Sequence, residues 1–297
     1  TGGMPMTRLH KFRLVLLLVP ILAVAFVVGC GSDDSSSDDS SDSTTTAATN
    51  CTPEGLNTFK DGVLTVGTDS PAYPPYFEDD DPSNGKGFEG ALAYAIADQL
   101  GFNKSQVEWA TIPFNVSFAP GEKKFDFDLN QISITPKRAQ NVDFSSPYYV
   151  ADQGVMVKKG SDLDGITSLD ELKDATIGVQ LGTTAYDAVL EQIDPSSSPK
   201  VFDNSNDVVS AFQQDQVDAV VVDLPQAIYL RDAVVDGAVV AGQFDDPAGD
   251  EWGALLGKDS DLTACVDQAI ATLKEDGSLD EITKQWMSNS AKAPELS

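Results

Sequence analysis

The chain has 297 residues, of which 41% are hydrophobic and 22% charged, enough for one large or two medium-sized domains. It carries 47 acidic residues against 19 Lys and Arg, a formal net charge of −28. This excess argues against a nucleic acid partner, because binding to a phosphate backbone depends on clustered cations. The single histidine is His10, and no cysteine cluster has metal-ligand spacing, so we expect neither a metal site nor a cofactor.

The N-terminus has the pattern of an export signal. Three cations within the first thirteen residues precede an apolar run from Leu14 to Val28, which is short for a membrane span and typical of a signal peptide. The run ends at Val-Val-Gly-Cys30, which resembles a bacterial lipobox. We therefore predict a lipoprotein signal peptide over residues 1–29, with Cys30 lipidated and anchoring the protein to the cell membrane. The alternative is an ordinary signal peptide in which Cys30 is incidental.

Residues 30–50 are almost wholly Ser, Thr, Asp, Gly and Ala. They cannot bury enough apolar surface to offset their chain entropy, so we predict a disordered tether. Removal of residues 1–29 would take away three cations and no acid, leaving 16 cations, 47 acids and a formal charge of −31. We expect an extracytoplasmic protein that is lipid-anchored, otherwise soluble, and monomeric.

From Gly62 onward, short apolar runs alternate with helical patterns. The predicted strands cover residues 62–67, 107–109, 154–157, 176–179, 200–202, 217–222, 238–241 and 252–256. The predicted helices cover residues 91–100, 114–119, 184–192, 206–215, 224–231, 262–274 and 279–287, with a capped turn at 168–172. Alternation of this kind predicts an α/β fold with mostly parallel sheets. Ligands of such sheets bind beyond the carboxyl ends of the strands, so polar residues after each strand are site candidates.

The segment from Phe125 to Val150 carries the most informative motif. It begins as an apolar strand and breaks at Thr135-Pro136, which suit a helix N-cap and the first helical position. Arg138 then falls in the first turn of a short helix, beside free backbone N–H groups. That combination suits a carboxylate or a phosphate. The alternative is an Arg whose aliphatic stem covers apolar surface while its head stays in water.

Candidate partners for Arg138 follow three other strands. Asp223 ends the apolar strand at 217–222, Asp69 follows the first strand, and Thr183-Thr184 precede a helix. The alternative role for Asp223 and for the threonines is to cap the helix that follows. The alternative for Asp69 is an Asx turn.

Cys51 and Cys265 form an even pair once Cys30 is set aside. Cys51 precedes the first strand, and Cys265 lies on the apolar face of a C-terminal helix. In an oxidising compartment we expect a disulfide that fastens the start of the fold to its end. The alternative is one buried and one exposed free thiol.

Four segments, in their order and spacing, resemble the polar amino-acid family (family 3) of bacterial extracellular solute-binding proteins, the lipoprotein receptors of ABC importers. They are residues 67–77 (GTDSPAYPPYF), 132–149 (ISITPKRAQNVDFSSPYY), 178–184 (GVQLGTT) and 217–223 (VDAVVVD), supported by LKEDGSL at 273–279 and by Trp286. Each segment alone is weakly diagnostic, but together they span nearly the whole exported domain.

The resemblance implies a two-lobed periplasmic-binding-protein clamshell (type II), each lobe a mainly parallel sheet flanked by helices. Lobe 1 would comprise residues 52–151 plus 244–290 and lobe 2 residues 152–243, with two crossing strands as the hinge. An amino acid would bind between the lobes, and the closed form would deliver it to an ABC permease in the membrane.

The same resemblance assigns roles at the ligand. Arg138, Ser133 and the helix N-terminus at Thr183-Thr184 would hold the α-carboxylate, and Asp223 would accept from the α-ammonium group. Tyr73 and Phe114 match positions whose rings sandwich the ligand side chain.

Three positions qualify this assignment. One inserted residue between Asp69 and Tyr73 leaves Tyr76 as an alternative stacking residue. Asn130-Gln131 stand where many relatives carry small residues, so they would narrow the pocket, although the carbonyl of residue 130 could still accept from the ammonium group. Asp69 would face the side-chain end and favour an Arg, Lys or Gln ligand.

Three alternatives share this fold. One is a sensory module, whose clamshell would report the ligand to a partner instead of delivering it. A compatible solute such as ectoine or a betaine would require an aromatic cage, for which Tyr73, Tyr76, Phe114 and Trp109 are candidates. An enzyme resembling cyclohexadienyl dehydratase would require an acid–base group, for which Glu89 is the additional candidate. An Arg138–Asp223 pair favours a free amino acid, and we predict a binding protein that is not an enzyme.

Overall fold

A computed structural model describes residues 50–245, 249–288 and 293–297. The predicted signal peptide, the lipidation site at Cys30 and the tether up to residue 49 lie outside these residues. Within them, no helix has the length and hydropathy needed to cross a membrane.

The described residues form twelve strands and seven α-helices. The strands are β1 (Leu64–Thr68), β2 (Val107–Thr111), β3 (Phe127–Asp128), β4 (Val142–Phe144), β5 (Tyr149–Ala151), β6 (Gln153–Lys158), β7 (Ile177–Gln180), β8 (Lys200–Phe202), β9 (Ala219–Asp223), β10 (Ala238–Phe244), β11 (Asp250–Trp252) and β12 (Leu255–Gly257). The helices are α1 (Phe88–Gln99), α2 (Phe114–Ser117), α3 (Thr184–Ala188), α4 (Ser205–Gln213), α5 (Leu224–Tyr229), α6 (Thr263–Glu275) and α7 (Ser278–Met287).

The strands build two five-stranded sheets, one for each lobe. The first has the order β2-β1-β3-β12-β4 and the second β10-β6-β9-β7-β8. The expectation of mainly parallel sheets needs correction, because each sheet combines two parallel with two antiparallel pairings. The antiparallel pairings arise where the chain enters or leaves a lobe: β6 and β12 follow a crossing, β10 precedes one, and all three run against their neighbours.

The two crossing segments pair with each other. β5 leads from the first sheet into β6, the chain returns from β10 through β11 to β12, and β5 and β11 form a separate antiparallel ladder. This ladder corresponds to the two crossing strands expected as a hinge, and we propose lobe boundaries close to residues 151/152 and 243/244.

Each sheet is covered by apolar side chains from its helices. In the first lobe Leu64 and Val66 of β1 pack in one cluster with Leu92 and Ile96 of α1 and with apolar residues of α6 and α7. In the second lobe alternate residues of β9 enter two different clusters, one on each face of the sheet. A central strand covered on both faces is apolar at every position, which is why residues 219–222 have no polar side chain.

The segment from Phe125 to Val150 is less regular than predicted. In its apolar first part only Phe127–Asp128 form a strand, and the helix is a 3₁₀ turn at Arg138–Gln140. The capping role of Thr135 is confirmed, since its hydroxyl accepts from the backbone N–H of Arg138 at 3.1 Å.

Two other elements differ from their predicted bounds for local reasons. Helix α4 begins at Ser205, because the side chain of Asn204 caps it by accepting from the N–H of Asp207 at 3.0 Å. The predicted strand at 252–256 is two strands separated by Gly253, where a Cβ would lie 2.9 Å from the side chain of Ile134.

The disulfide between Cys51 and Cys265 is confirmed, with the two Cα atoms 5.4 Å apart. It joins the segment before β1 to α6, and Cys265 is fully buried in the core of the first lobe. The bond therefore closes a loop that contains the whole second lobe.

We predict that the disulfide contributes measurably to the stability of the protein. Its cysteines are 214 residues apart, and closing a loop of this length in the unfolded chain is worth about 2–5 kcal/mol. Reduction should lower the free energy of unfolding by that amount in urea denaturation followed by circular dichroism. The double variant Cys51→Ala/Cys265→Ala should show the same loss and no further response to reductant. Equal stability of the oxidised and reduced protein would contradict this prediction.

The C-terminal residues pack on the second lobe, although the sequence analysis assigned them to neither. The backbone N–H of Gln243 donates to Pro294 at 2.8 Å, and the N–H of Leu296 donates back to Gln243 at 2.9 Å. Leu296 is 5% exposed and enters a core cluster of the second lobe. Gly242 leaves room for it, since a Cβ there would lie 2.5 Å from its Cγ. Because α7 packs in the first lobe, the chain connects the lobes again after the two crossing strands.

We predict that Leu296→Ala lowers the free energy of unfolding by about 2–5 kcal/mol, as for other buried leucines. Gly242→Ala should have a similar effect, because the new methyl group would displace the Leu296 side chain. Amide exchange at Gln243 should accelerate in both variants, which hydrogen-exchange mass spectrometry can measure. Lys284→Ala, an exposed position on α7, is the control; exchange at Gln243 unchanged in both variants would show that the C-terminal contact is not stabilising.

Candidate ligand-binding cleft

A cleft between the two lobes collects most of the predicted site residues. Ten of them line it: Asp69, Tyr73, Tyr76, Phe114, Asn130, Gln131, Ser133, Thr183, Thr184 and Asp223. The remaining one, Arg138, lies against the lining. The loops after β1 and β3 contribute from the first lobe, and the loops after β7, β8 and β9 from the second, all at strand carboxyl ends.

Arg138 is 6% exposed and held on both sides of the cleft. Its guanidinium donates to the carbonyl of Ser133 at 2.7 Å and, across the cleft, to the carbonyl of Gly182 at 2.9 Å. The rings of Phe118 and Phe114 lie 4.7 and 5.4 Å from its Cζ atom. Burial lowers the pKa of Arg138 to about 10, so the group is still charged at neutral pH. Two of its five N–H groups make these hydrogen bonds.

Among the described residues, several polar contacts join the lobes across the cleft. Besides the Arg138 bond to Gly182, the hydroxyls of Ser133 and Thr184 lie 3.3 Å apart. The hydroxyl of Tyr73 contacts Asn206 of α4. The described arrangement is therefore a closed one.

Asp223 does not cap the helix that follows it. Its side chain makes no capping bond to α5 and instead accepts from the amide of Gln153 at 3.3 Å. The same Gln153 nitrogen donates to Asp250 at 2.7 Å. Burial, followed by the charge of Asp250, raises the pKa of Asp223 well above its usual range.

Asp250 is the most informative residue that the sequence analysis missed. It is 1% exposed and also accepts from the hydroxyl of Thr184 at 3.1 Å. Asp250 begins the crossing strand β11, whereas Gln153 begins β6 opposite Asp223 in the ladder with β9. These register positions were not readable from the sequence, because neither residue follows a predicted strand.

The other predicted polar residues, Asp69 and Thr183, line the cleft and also form hydrogen bonds with backbone groups around it. Asp69 accepts from the N–H of Ser70 at 2.7 Å and from the N–H of Phe114 at 3.1 Å, so its carboxylate orders the turn while lining the cleft. Thr183 is the N-cap residue of α3 but makes no side-chain cap, and its hydroxyl donates to the carbonyl of Gln180 at 2.8 Å.

The three predicted aromatic residues differ in burial. Tyr76 is 1% exposed, and its ring meets Trp252 edge-on at 5.6 Å, so it packs in the core and presents little face to a ligand. Tyr73 is only partly buried, with its ring 6.3 Å from that of Tyr229; burial raises its pKa to about 12. Phe114 is partly buried beside Arg138. Tyr73 and Phe114 therefore keep accessible ring surface, and Tyr76 does not.

Asn130 and Gln131 line the cleft on its first-lobe side. The amide nitrogen of Asn130 is buried without a hydrogen-bond partner. Gln131 has a positive φ of 49°, and its backbone N–H donates to the buried carboxylate of Glu89 at 2.7 Å. The predicted narrowing by these larger side chains is consistent with their place in the lining.

Helices α4 and α5 add polar groups that the sequence analysis did not single out. Ser205 donates to the side chain of Gln180 at 2.6 Å and accepts from Gln226 at 3.2 Å, and all three line the cleft with Asn206. Within the described ranges, no group of three or more His, Cys, Asp or Glu could hold a metal ion.

Comparison with known proteins identifies the family. The pattern of the bacterial extracellular solute-binding proteins, family 3, matches residues 64–289. The chain is 30% identical over 235 residues to the L-cystine-binding protein TcyJ of Escherichia coli K12, covering 78% of this chain and 85% of TcyJ. It is 31% identical over 230 residues to the arginine-binding extracellular protein ArtP of Bacillus subtilis 168, covering 75% and 85%.

A solved structure extends the likeness to the fold. An ancestral arginine-binding protein bound to glutamine superposes with a TM-score of 0.65 and 34% identity, over 76% of this chain and 98% of that one. The match covers both lobes of that protein almost completely. The chain accordingly belongs to the bacterial extracellular solute-binding proteins, family 3.

Proposed function

We propose that this protein is an extracytoplasmic receptor of an ABC importer that binds a polar amino acid between its lobes. One observation carries the proposal: Arg138, a buried guanidinium against the cleft lining, interacts electrostatically with Asp223, which lines the cleft, and with Asp250, which shares the Gln153 amide with Asp223. An amino acid is a zwitterion, so it needs one cationic and one anionic partner held at a fixed separation.

The contacts suggest how each end of the zwitterion would bind. The α-carboxylate would take the remaining N–H groups of Arg138 and the hydroxyls of Ser133 and Thr184, which already lie within 3.3 Å of each other. Charge-assisted hydrogen bonds of this kind are short and strong. The α-ammonium would replace the Gln153 amide as a donor to Asp223.

The side-chain end favours an Arg, Lys or Gln ligand. Asp69 lines the cleft there, and Glu89 lies behind Gln131, so an anionic side chain would meet like charge. Relatives that bind arginine and one bound to glutamine support this ligand class, whereas TcyJ supports cystine as a further candidate.

Neither the compatible-solute nor the enzyme alternative has comparable support. A quaternary-ammonium ligand would need several open ring faces, but Tyr76 is buried and Trp109 packs edge-on against Phe77 at 5.6 Å. For an enzyme, Glu89 would have to exchange protons with the ligand. It is fully buried and accepts from Gln131 and Tyr148 instead.

Ligand bound to both lobes would shift an open–closed equilibrium toward the closed form, because only that form completes both sets of contacts. We propose that the closed form is the one presented to the permease. We also propose that lipidated Cys30 and the tether up to residue 50 hold the protein, as a monomer, at the membrane where the permease resides.

Titration calorimetry on the refolded purified protein tests the ligand class. We expect the tightest binding among L-arginine, L-lysine and L-glutamine, and weaker binding of L-glutamate, because its side chain would add a negative charge near Asp69. L-cystine, ectoine and glycine betaine belong in the same series. Tight binding of a solute that lacks an α-amino acid group, with none for the amino acids, would overturn the proposed function.

Two substitutions test the zwitterion contacts. Asp223→Asn should weaken binding by about 2–5 kcal/mol, the usual cost of losing one member of a buried charge pair, which is roughly 30-fold or more. Arg138→Lys keeps the charge but loses the planar fork of donors that matches a carboxylate, so it should weaken binding as well. Lys137→Ala and Asp236→Asn change exposed charges nearby in sequence and should bind like the wild type. Wild-type affinity in Arg138→Lys or Asp223→Asn would show that these groups do not hold the ligand.

A further inference from the structure

Gln131 has a backbone conformation that glycine normally adopts. Its φ of 49° lies in the left-handed region, which strains a non-glycine residue, and such strain persists only where surrounding contacts impose it. The contacts here all come from one side chain. Glu89 accepts from the backbone N–H of Gln131 at 2.7 Å with Oε1, and from the side-chain amide nitrogen with Oε2.

Glu89 is itself firmly placed. It lies in the first turn of α1, where a carboxylate interacts favourably with the helix dipole, and it is fully buried. The hydroxyl of Tyr148 donates a third hydrogen bond to it. An ionised carboxylate only accepts, so all three donors are matched to the charged form.

This arrangement determines which end of the Gln131 amide is free. With Nε2 bound to Glu89, the amide offers its oxygen, which receives no hydrogen bond from any described residue. Gln131 lines the cleft beside Asn130. The free oxygen is an acceptor, and it suits a ligand whose side chain carries N–H groups.

We propose that Glu89, which does not line the cleft, determines the ligand preference by holding the Gln131 amide with its oxygen free for the ligand. The inference rests on the proposed amino-acid binding and names the residue that orients one of its contacts. Glu89 is thus a positioning residue that favours arginine, lysine or glutamine over ligands with acceptor-only side chains.

The arrangement should respond to pH. A neutral Glu89 carries a proton of its own, and a rotated Gln131 amide would accept it and present the NH₂ group instead. Burial raises the pKa of Glu89 to about 7, while its bonds with Tyr148 and Gln131 act in the opposite direction. The other titratable groups that interact with it are Tyr76 and Asp128 of β3, and neither supplies a positive charge.

The direction of the expected pH dependence follows from the charge state of Glu89. Above pH 7 Glu89 is ionised and Gln131 presents its oxygen; below pH 7 Glu89 becomes neutral and the preference for N–H ligands weakens. Glu89→Gln should imitate the low-pH form at every pH, because its own amide group requires an acceptor from Gln131.

The first measurement needs no ligand. The side-chain NH₂ signal of Gln131 in a ¹⁵N NMR spectrum, assigned by its loss in Gln131→Met, should titrate with a midpoint near pH 7. Glu89→Gln should abolish this titration. Tyr148→Phe, which removes a bond that stabilises the ionised form, should move the midpoint to higher pH. Asp98→Asn, an exposed acid on the same helix, should leave it unchanged.

The second measurement is the ratio of the dissociation constants of L-glutamate and L-arginine at pH 6.0 and pH 8.5. In the wild type this ratio should rise with pH, and Glu89→Gln should lower it at pH 8.5 by about tenfold to a hundredfold, as for a hydrogen bond to a charged group. A ratio unaltered by Glu89→Gln, or a Gln131 signal that does not titrate, would overturn the inference while leaving the proposed function intact. Failure of the wild type to bind any amino acid would overturn both.

Discussion

The burial of one positive charge, on Arg138, is the constraint on which the cleft depends. Removing a guanidinium from water costs several kcal/mol unless its donors and its charge are compensated. Carbonyl oxygens of Ser133 and Gly182 accept from it, two phenylalanine rings lie against it, and the charges of Asp250 and Asp223 favour its ionised form. Since Gly182 belongs to the second lobe, this compensation is complete only when the lobes meet.

The opposite side of the cleft poses the complementary problem. Asp223 and Asp250 share the Gln153 amide, and Asp250 also accepts from Thr184. Burial and the charge of Asp250 raise the pKa of Asp223 well above its usual range. An incoming ammonium group would relieve the repulsion between these carboxylates, so the same acids that destabilise an unliganded closed form would strengthen the liganded one.

The connections between the lobes allow this cleft to open without loss of either core. Each sheet has its own apolar clusters, and the two crossing strands pair with each other in the three-residue ladder of β5 and β11. The disulfide joins the segment before β1 to α6 within the first lobe. The C-terminal residues around Leu296 pack against the second lobe. Each lobe therefore has a core of its own.

The sequence alone sufficed for the order of the elements, the family and most of the cleft, because turn chemistry and strand ends are local. The Thr135 cap, the apolar strand before Asp223 and the cysteine pair all gave correct predictions. The start of α4 and the division of the strand at 252–256 differed from prediction, since capping by Asn204 and the close approach at Gly253 involve side-chain geometry.

Only the tertiary structure determined which groups pair with the buried charges. Glu89, Gln153 and Asp250 belong to elements far apart in the chain, and their roles depend on strand register and on the crossing between lobes. The antiparallel pairings in each sheet could likewise not be predicted from the sequence, because the direction of a strand depends on where the chain enters a lobe. The local sequence pattern indicates where an element ends and which polar residues stand there. Long-range packing determines which of those polar groups form hydrogen bonds with one another.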